Sequence, residues 1–182
     1  MFRKRESISS VVDLPTIGYP SYTGHPAVTK TAAGWLTRCL DTHKACKKVA
    51  QDGSTIDSGW RPKRLLHING DQLRLFLSKD HRDVGQYAAL SHCWGQNPSF
   101  LVLTSDNEEH WKLDLPLDSL PQSFVDAVEV SRRLSLEYLW IDSLCIMQSG
   151  PGSAEDWLEH VIDMALVYSN CTVNISADCA SN

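Results

Sequence analysis

The predicted architecture follows from one stretch of sequence, Tyr138-Leu139-Trp140-Ile141-Asp142-Ser143-Leu144-Cys145-Ile146-Met147-Gln148. Residues 138–142 are apolar and aromatic up to a closing carboxylate and show no alternation, which predicts a short strand buried on both faces. Amphipathic patterns over residues 120–134 and 155–168 predict a helix before this strand and a helix after it. Ser153 is the predicted cap of the second helix. Its predicted buried stripe consists of Trp157, Val161, Met164, Ala165 and Tyr168.

Two further strands complete the predicted core. Residues 86–90 contain small residues and predict a buried strand, and residues 172–176 alternate branched side chains. Strands and helices therefore alternate from residue 86 to residue 176, which predicts an α/β fold with a parallel sheet core flanked by helices. An antiparallel β-hairpin is added to this core, because Asn69-Gly70-Asp71-Gln72 separates apolar runs at 64–68 and 73–77.

The bulk composition fits one domain that carries an N-terminal extension. The chain has 182 residues, which is enough for a sizeable core, and residues 1–33 lack sustained periodicity. We therefore predict a flexible arm over 1–33 and a domain over 34–182. The net charge of −5 gives no electrostatic reason to expect nucleic acid or an anionic membrane as partner. No signal peptide or membrane span is predicted, and the six cysteines form no C-x-x-C pair, so we expect reduced thiols and a cytoplasmic location.

A possible metal site lies near the start of the predicted domain. Trp35, Cys39, His43 and Cys46 recur at four, four and three residues, which places them on one helix face. The cysteines and the histidine are three zinc ligands, whereas a structural zinc site has four. The favoured interpretation is a helix that packs these side chains against the body, and no metal is predicted.

Polar side chains follow two of the predicted parallel strands. Ser91, His92 and Cys93 follow one strand and Asp142 ends another, so they share the edge of the sheet where ligands bind in open α/β folds. Structural alternatives stay open for each residue. Asp142 can cap a loop or a helix, and His92 can be a hydrogen-bonded turn residue. Trp94 and Trp140 can be core anchors.

The chain resembles the fungal HET domain, named for heterokaryon incompatibility. The strongest matches are Tyr87-Ala88-Ala89-Leu90-Ser91-His92-Cys93-Trp94-Gly95 and residues 138–145 with Gln148. Weaker matches are residues 35–46, Leu120-Pro121 with Phe124, Asp126 and Ala127, and Asp156-Trp157 with Met164, Tyr168, Asn170 and Ala177. HET domains look remotely similar to Toll/interleukin-receptor (TIR) domains, so the resemblance implies a TIR-like or flavodoxin-like sheet.

The resemblance implies a role in self/non-self recognition and programmed cell death, a form of innate immunity in fungi. Because some TIR domains cleave NAD, it also implies that NAD or a related nucleotide is a possible substrate, with no permanently bound cofactor. Asp142 and His160 are then the candidate catalytic residues. The candidate nucleotide-binding residues are Ser91, His92, Trp94, Gly95, Trp140, Cys145 and Gln148. The alternative is a non-enzymatic signalling scaffold that self-associates or docks other proteins of the incompatibility pathway.

One position departs from the family pattern. HET domains usually carry a glutamate three residues after the tryptophan of the Asp-Trp pair, and this chain has His160 there. Glu159 is one residue earlier, and one step on a helix turns a side chain by about 100°, so Glu159 is expected to point elsewhere. A protonated imidazole repels the cation that a carboxylate stabilises. The departure therefore predicts weakened or lost catalysis if the family's glutamate is the catalytic carboxylate.

Overall fold

The computed structural model of the chain describes residues 22–43, 60–80, 84–95 and 99–177. Its centre is a five-stranded mixed sheet with the strand order β2-β1-β4-β3-β5. The strands are β1 (Arg64–Asn69), β2 (Gln72–Leu77), β3 (Tyr87–His92), β4 (Tyr138–Trp140) and β5 (Val173–Ala177). The helices are α1 (Pro26–Thr42), α2 (Glu108–Trp111), α3 (Gln122–Arg133), α4 (Asp142–Cys145) and α5 (Ser153–Asn170).

The predicted parallel core is confirmed. β3 lies between β4 and β5 and pairs parallel with both. The connection through α3 leads from β3 to β4, and the connection through α5 leads from β4 back across to β5. Because the two connections run in opposite directions, right-handed crossovers place α3 and α5 on opposite faces of the sheet. Phe124 of α3 accordingly packs on His92, whereas Tyr168 of α5 packs on Trp140.

The predicted hairpin is also confirmed, and it extends the same sheet. β1 and β2 pair antiparallel around a turn in which Gly70 has a φ of +57°. β1 pairs antiparallel with β4 as well, through Leu66 opposite Leu139. Leu65 and Leu66 have no exposed surface, so the hairpin contributes to the main core.

Two details of the central stretch differ from prediction. The strand ends at Trp140, and Asp142 instead begins α4, a single helical turn. Gly152, with a φ of +84°, is the N-cap of α5 in place of Ser153.

The buried face of α5 is not the one that the sequence predicted. Trp157 and Val161 are 52% and 45% exposed, and Ala165 is exposed as well, whereas Asp156, His160 and Val167 are buried. Met164 and Tyr168 are partly buried against the core, as expected. The reason is that α5 carries apolar residues on both sides, so its apolar pattern alone does not determine which side packs on the sheet.

The first helix begins earlier than the sequence predicted. α1 begins at Pro26, inside the segment predicted as an arm, because proline fits the first helical turn and the His25 Nδ1 accepts a hydrogen bond from the amide of Ala27. Trp35 is 60% exposed and does not pack on the body as predicted, whereas Cys39 on the same face is partly buried. Cys46 lies outside the described residues, as do residues 1–21 of the predicted arm.

Within the ranges that the structure describes, we find no helix whose length and hydropathy would allow it to cross a membrane.

Candidate functional site

The candidate site lies at the carboxyl ends of β3 and β4, next to the point in the sheet where the direction of the chain connections reverses. The helices that follow β3 and β4 lie on opposite faces, and open α/β sheets bind ligands at this edge. His92 ends β3, Trp94 follows it, and Asp142 follows β4. We refer to Ser91, His92, Trp94 and Asp142 as the switch-point crevice.

Asp142 is held in place by hydrogen bonds from both sides of the crevice. The Trp94 indole donates from Nε1 to Oδ2 at 2.8 Å, and the backbone amide of Ser143 donates to Oδ1 at 2.6 Å. The Asp142 side chain is 26% exposed. The amide bond holds the carboxylate against the first turn of α4, whose N-cap is Ile141, and the indole bond joins it to the segment that follows β3. The expectation that these two strand ends meet is confirmed.

His92 lies in an aromatic cage beside the carboxylate. Its ring is nearly parallel to Trp94 and meets Phe124 and Phe100 edge to face. Its side chain is 2% exposed, and neither ring nitrogen has a hydrogen-bond partner among the described residues. The His92 Nδ1 lies 3.7 Å from Asp142 Oδ1. Burial lowers the pKa of His92 below its ordinary value, although the Asp142 charge acts in the opposite direction.

Ser91 faces the other side of the sheet. Its hydroxyl donates to Asn174 Oδ1 of β5 at 3.1 Å. Tyr168 lies close enough to this edge that burial, together with the charge of Asp142, raises the pKa of its hydroxyl. The crevice therefore has an apolar, cage-like side towards α3 and a hydroxyl-rich side towards α5.

Other predicted site residues lie in the core. Trp140 has no exposed surface and packs edge to face on Tyr168, so a ligand cannot stack on it without disrupting the core. Cys145 is fully buried, and its burial raises the pKa of the thiol to about 12. Gln148 is half-buried and donates to the carbonyl of Ile146. Gly95 is exposed next to Trp94, with a φ of +75°.

His160 belongs to a different group from Asp142. It is 4% exposed, and its Nδ1 lies 2.7 Å from the carbonyl oxygen of Asp156. Asp156 is buried too, and it accepts hydrogen bonds from Arg64 Nη1 at 2.8 and 2.9 Å and from the Met147 amide at 2.8 Å. Lys63 lies 2.8 Å from the same carboxylate. The two residues predicted to act together in catalysis are thus divided between two clusters.

The expected divergence of Glu159 from His160 is confirmed. The Glu159 side chain is 64% exposed and pairs with Lys63, whereas His160 is buried.

The buried ion cluster was not predicted from the sequence. Arg64 bonds Asp156 of α5, Glu108 of α2 and the carbonyl of Cys145 in α4. The signal that could have found it was an arginine at the start of an apolar strand, which requires a buried anion. Among the described residues, no group of three or more histidine, cysteine or acidic side chains has the arrangement of a metal site.

Comparison with known proteins assigns the family. The family model described as "Heterokaryon incompatibility protein (HET)" matches residues 87–182, more than half of the chain. No curated protein and no solved structure matches the chain. The matched segment includes β3, β4 and α5, and so contains the switch-point crevice, Asp156 and His160. The chain belongs to the heterokaryon incompatibility (HET) family.

Proposed function

We propose that this chain acts in programmed cell death by binding a nucleotide in the switch-point crevice and hydrolysing NAD there at the bond between nicotinamide and ribose. Family membership supports a heterokaryon incompatibility-type role. The nucleotide, its hydrolysis and a cytoplasmic site of action are our proposal. The proposal rests on the geometry of Asp142. Its carboxylate is partly exposed and is fixed by the Trp94 indole and the Ser143 amide. It lies at the edge of the sheet where open α/β folds bind ligands.

The proposed chemistry requires a fixed negative charge. The C–N bond breaks with its electron pair going to nicotinamide, which leaves as a neutral molecule, and an oxocarbenium-like ribose remains. Water then adds to the ribose carbon and releases a proton, which gives ADP-ribose. Asp142 can stabilise the cation or accept hydrogen bonds from ribose hydroxyls, because each of its oxygens retains a free lone pair. Ser91 and Tyr168 supply further hydroxyl groups at the same edge.

His160 is not proposed as a substitute for a carboxylate. Its imidazole carries no negative charge in either protonation state, so it cannot stabilise an oxocarbenium ion. Because His160 lies in a different cluster from Asp142, His160→Glu should not change hydrolysis in the switch-point crevice.

The test is nicotinamide release from NAD by the purified full-length chain. Wild type, Asp142→Asn and His160→Glu are compared with Asp126→Asn, a matched control on the exposed face of α3. We expect the wild type to release nicotinamide, His160→Glu to release it at the same rate, and Asp142→Asn to lose about 100-fold or more of the rate. We expect Asp126→Asn to have no effect. Absence of release by the wild type would contradict NAD hydrolysis in this crevice.

A second candidate function is a scaffold that acts by self-association, and the outer face of α5 favours it. Trp157, Leu158, Val161, Ile162 and Leu166 are between 41% and 80% exposed, although all are large and apolar. Clustered apolar side chains of this kind mark interaction surfaces. Sedimentation of wild type and Leu158→Glu over a range of concentrations tests it: concentration-dependent association that the variant abolishes favours the scaffold, and a monomer throughout contradicts it.

A further inference from the structure

A second cleft, separate from the switch-point crevice, lies between α5 and the segment that precedes β1. Its volume is about 460 Å³, within the range of small-molecule sites, and its walls are mainly apolar. Residues from both sides line it, among them Trp60, Arg61, Lys63, His160, Asp163 and Val167. None of the four residues that define the switch-point crevice lines this cleft.

His160 lines the cleft and has one ring nitrogen without a hydrogen-bond partner among the described residues. A carbonyl oxygen can only accept, so the 2.7 Å contact with Asp156 O requires the proton to be on Nδ1. The neutral ring then carries a lone pair on Nε2. That nitrogen is buried and has no hydrogen-bond partner among the described residues. A buried polar atom without a partner costs free energy, which a ligand with an N–H group can recover.

The cations that line the cleft are already engaged. Lys63 pairs with Asp156 and Glu159, and Arg61 donates to the carbonyls of Val84 and Trp60. The cleft therefore offers acceptors and an indole surface rather than an anion-binding site. These features match a flat, uncharged ring that donates hydrogen bonds, and they do not match a phosphate.

We propose that this cleft binds an uncharged heteroaromatic amine of nucleoside size, with its ring against Trp60 and its amino group on His160 Nε2. Trp60 supplies a stacking surface that tolerates any planar base. The His160 acceptor supplies selectivity, since a ring without the amino group leaves Nε2 unsatisfied. The inference does not depend on NAD hydrolysis or on Asp142.

The test is calorimetric titration of the full-length chain with adenosine and with purine riboside, which lacks only the amino group. We expect adenosine to bind the wild type about tenfold more tightly than purine riboside, the value of one hydrogen bond. His160→Phe should weaken adenosine binding about tenfold and remove the difference between the two ligands. A merely structural role of His160 would leave that difference in place.

Four further variants separate this cleft from the rest of the molecule. Trp60→Leu should weaken both ligands about tenfold or more, whereas its control Trp157→Leu, on the outer face of α5, should change neither. Asp142→Asn tests whether adenosine binds in the switch-point crevice instead. Ile162→Trp, at a side chain that lines the cleft and is 80% exposed, fills the cleft without altering the core and should abolish binding even if His160→Phe fails to fold. Absence of adenosine binding, equal affinity for the two ligands, or loss of binding in Asp142→Asn with retention in Ile162→Trp would each overturn the proposal.

Discussion

Asp156 is 4% exposed and lies among Lys63 Nζ, Arg64 Nη1 and the Met147 amide. Removing one partner from such a group leaves an uncompensated buried charge, which costs more than the net contribution of the intact ion pair. We therefore expect Asp156→Asn to lower the free energy of unfolding by about 3–5 kcal/mol in urea denaturation. Glu159→Gln, its exposed neighbour in the same ion cluster, should have little effect. Equal losses in the two variants would contradict the distinction between buried and exposed pairs.

The Asp156 carboxylate also makes the free energy of unfolding depend on pH in the acidic range. Burial alone would raise its pKa, but the hydrogen bonds from Lys63, Met147 and Arg64 outweigh burial and hold the pKa of Asp156 at about 2. The unfolded state therefore takes up the proton first as the pH falls. The stabilisation is complete above the ordinary value of 3.8 and is lost as the pH falls towards 2, by about 2 kcal/mol in total. When the free energy of unfolding is measured from pH 5 to pH 2, Asp156→Asn should remove this part of its dependence on pH.

His92 gives a second pH dependence of the same sign in a different range. Its pKa is below 6.5 in the folded chain because the ring is buried, so the unfolded state binds the proton more readily. Stability should therefore fall as the pH falls below 6.5, until the folded pKa is reached. His92→Phe keeps an aromatic ring in the cage, and its urea midpoint should change less with pH over this range than that of the wild type. Exposed His110→Gln is the control, and an unchanged slope in His92→Phe would contradict this account.

For single residues of the site, the sequence predicted which residues lie at the strand ends but not which partners they contact. His92, Trp94 and Asp142 could be placed because residues that follow neighbouring parallel strands meet at one edge. Asp156 and His160 could not, because the arginine that neutralises Asp156 is 92 residues away and a buried carboxylate resembles a surface residue in sequence. The cage around His92 was missed for a similar reason, since Phe100 lies in a stretch without periodicity.

Among the secondary structure elements, α5 is the one whose buried side could not be predicted from its apolar periodicity. Its apolar residues occur on both sides, so the predicted stripe included Trp157 and Val161, which are exposed. The side that packs on the sheet is selected by contacts that the helical period does not encode, namely the ion cluster at Asp156 and the position of His160. The charged residues of α3 lie mainly on one side, and Phe124, Ala127 and Val128 are buried on the other side.

The loop before α5 contains two glycines that differ in their surroundings. Gly150 and Gly152 both have positive φ, at +92° and +84°. A Cβ added at Gly150 would lie 2.0 Å from Ser105 Oγ and 2.8 Å from Ser105 Cβ, whereas one added at Gly152 meets nothing within 4 Å. Gly152→Ala should cost about 1–2 kcal/mol from backbone strain alone. Gly150→Ala should cost more in the same urea titration, because Ser105 must also move. Equal losses of unfolding free energy in the two variants would show that the contact with Ser105 does not destabilise Gly150→Ala.

For the whole molecule, connectivity could be predicted and the complete strand order could not. Alternation of strands and helices from residue 86 onwards requires parallel neighbours, and the observed β4-β3-β5 arrangement agrees. Nothing in the hairpin sequence indicates that it pairs with β4. That position depends on two backbone pairings and on Arg64, which joins β1 to α2, α4 and α5.

The position of the hairpin leads to a prediction about the minimal folding unit. The family match begins at Tyr87, yet Leu65, Leu66, Leu73 and Leu75 of the hairpin are at most 2% exposed and belong to the common core. A fragment of residues 87–182 would expose the edge of β4 and leave Asp156 without Lys63 and Arg64. α1, in contrast, has no buried residue. We therefore expect residues 60–182 to unfold cooperatively in urea with nearly the stability of the full chain, and residues 87–182 to aggregate or show no cooperative transition. Cooperative unfolding of the shorter fragment at the same urea midpoint would mean that the hairpin is an accessory to the fold rather than part of its core.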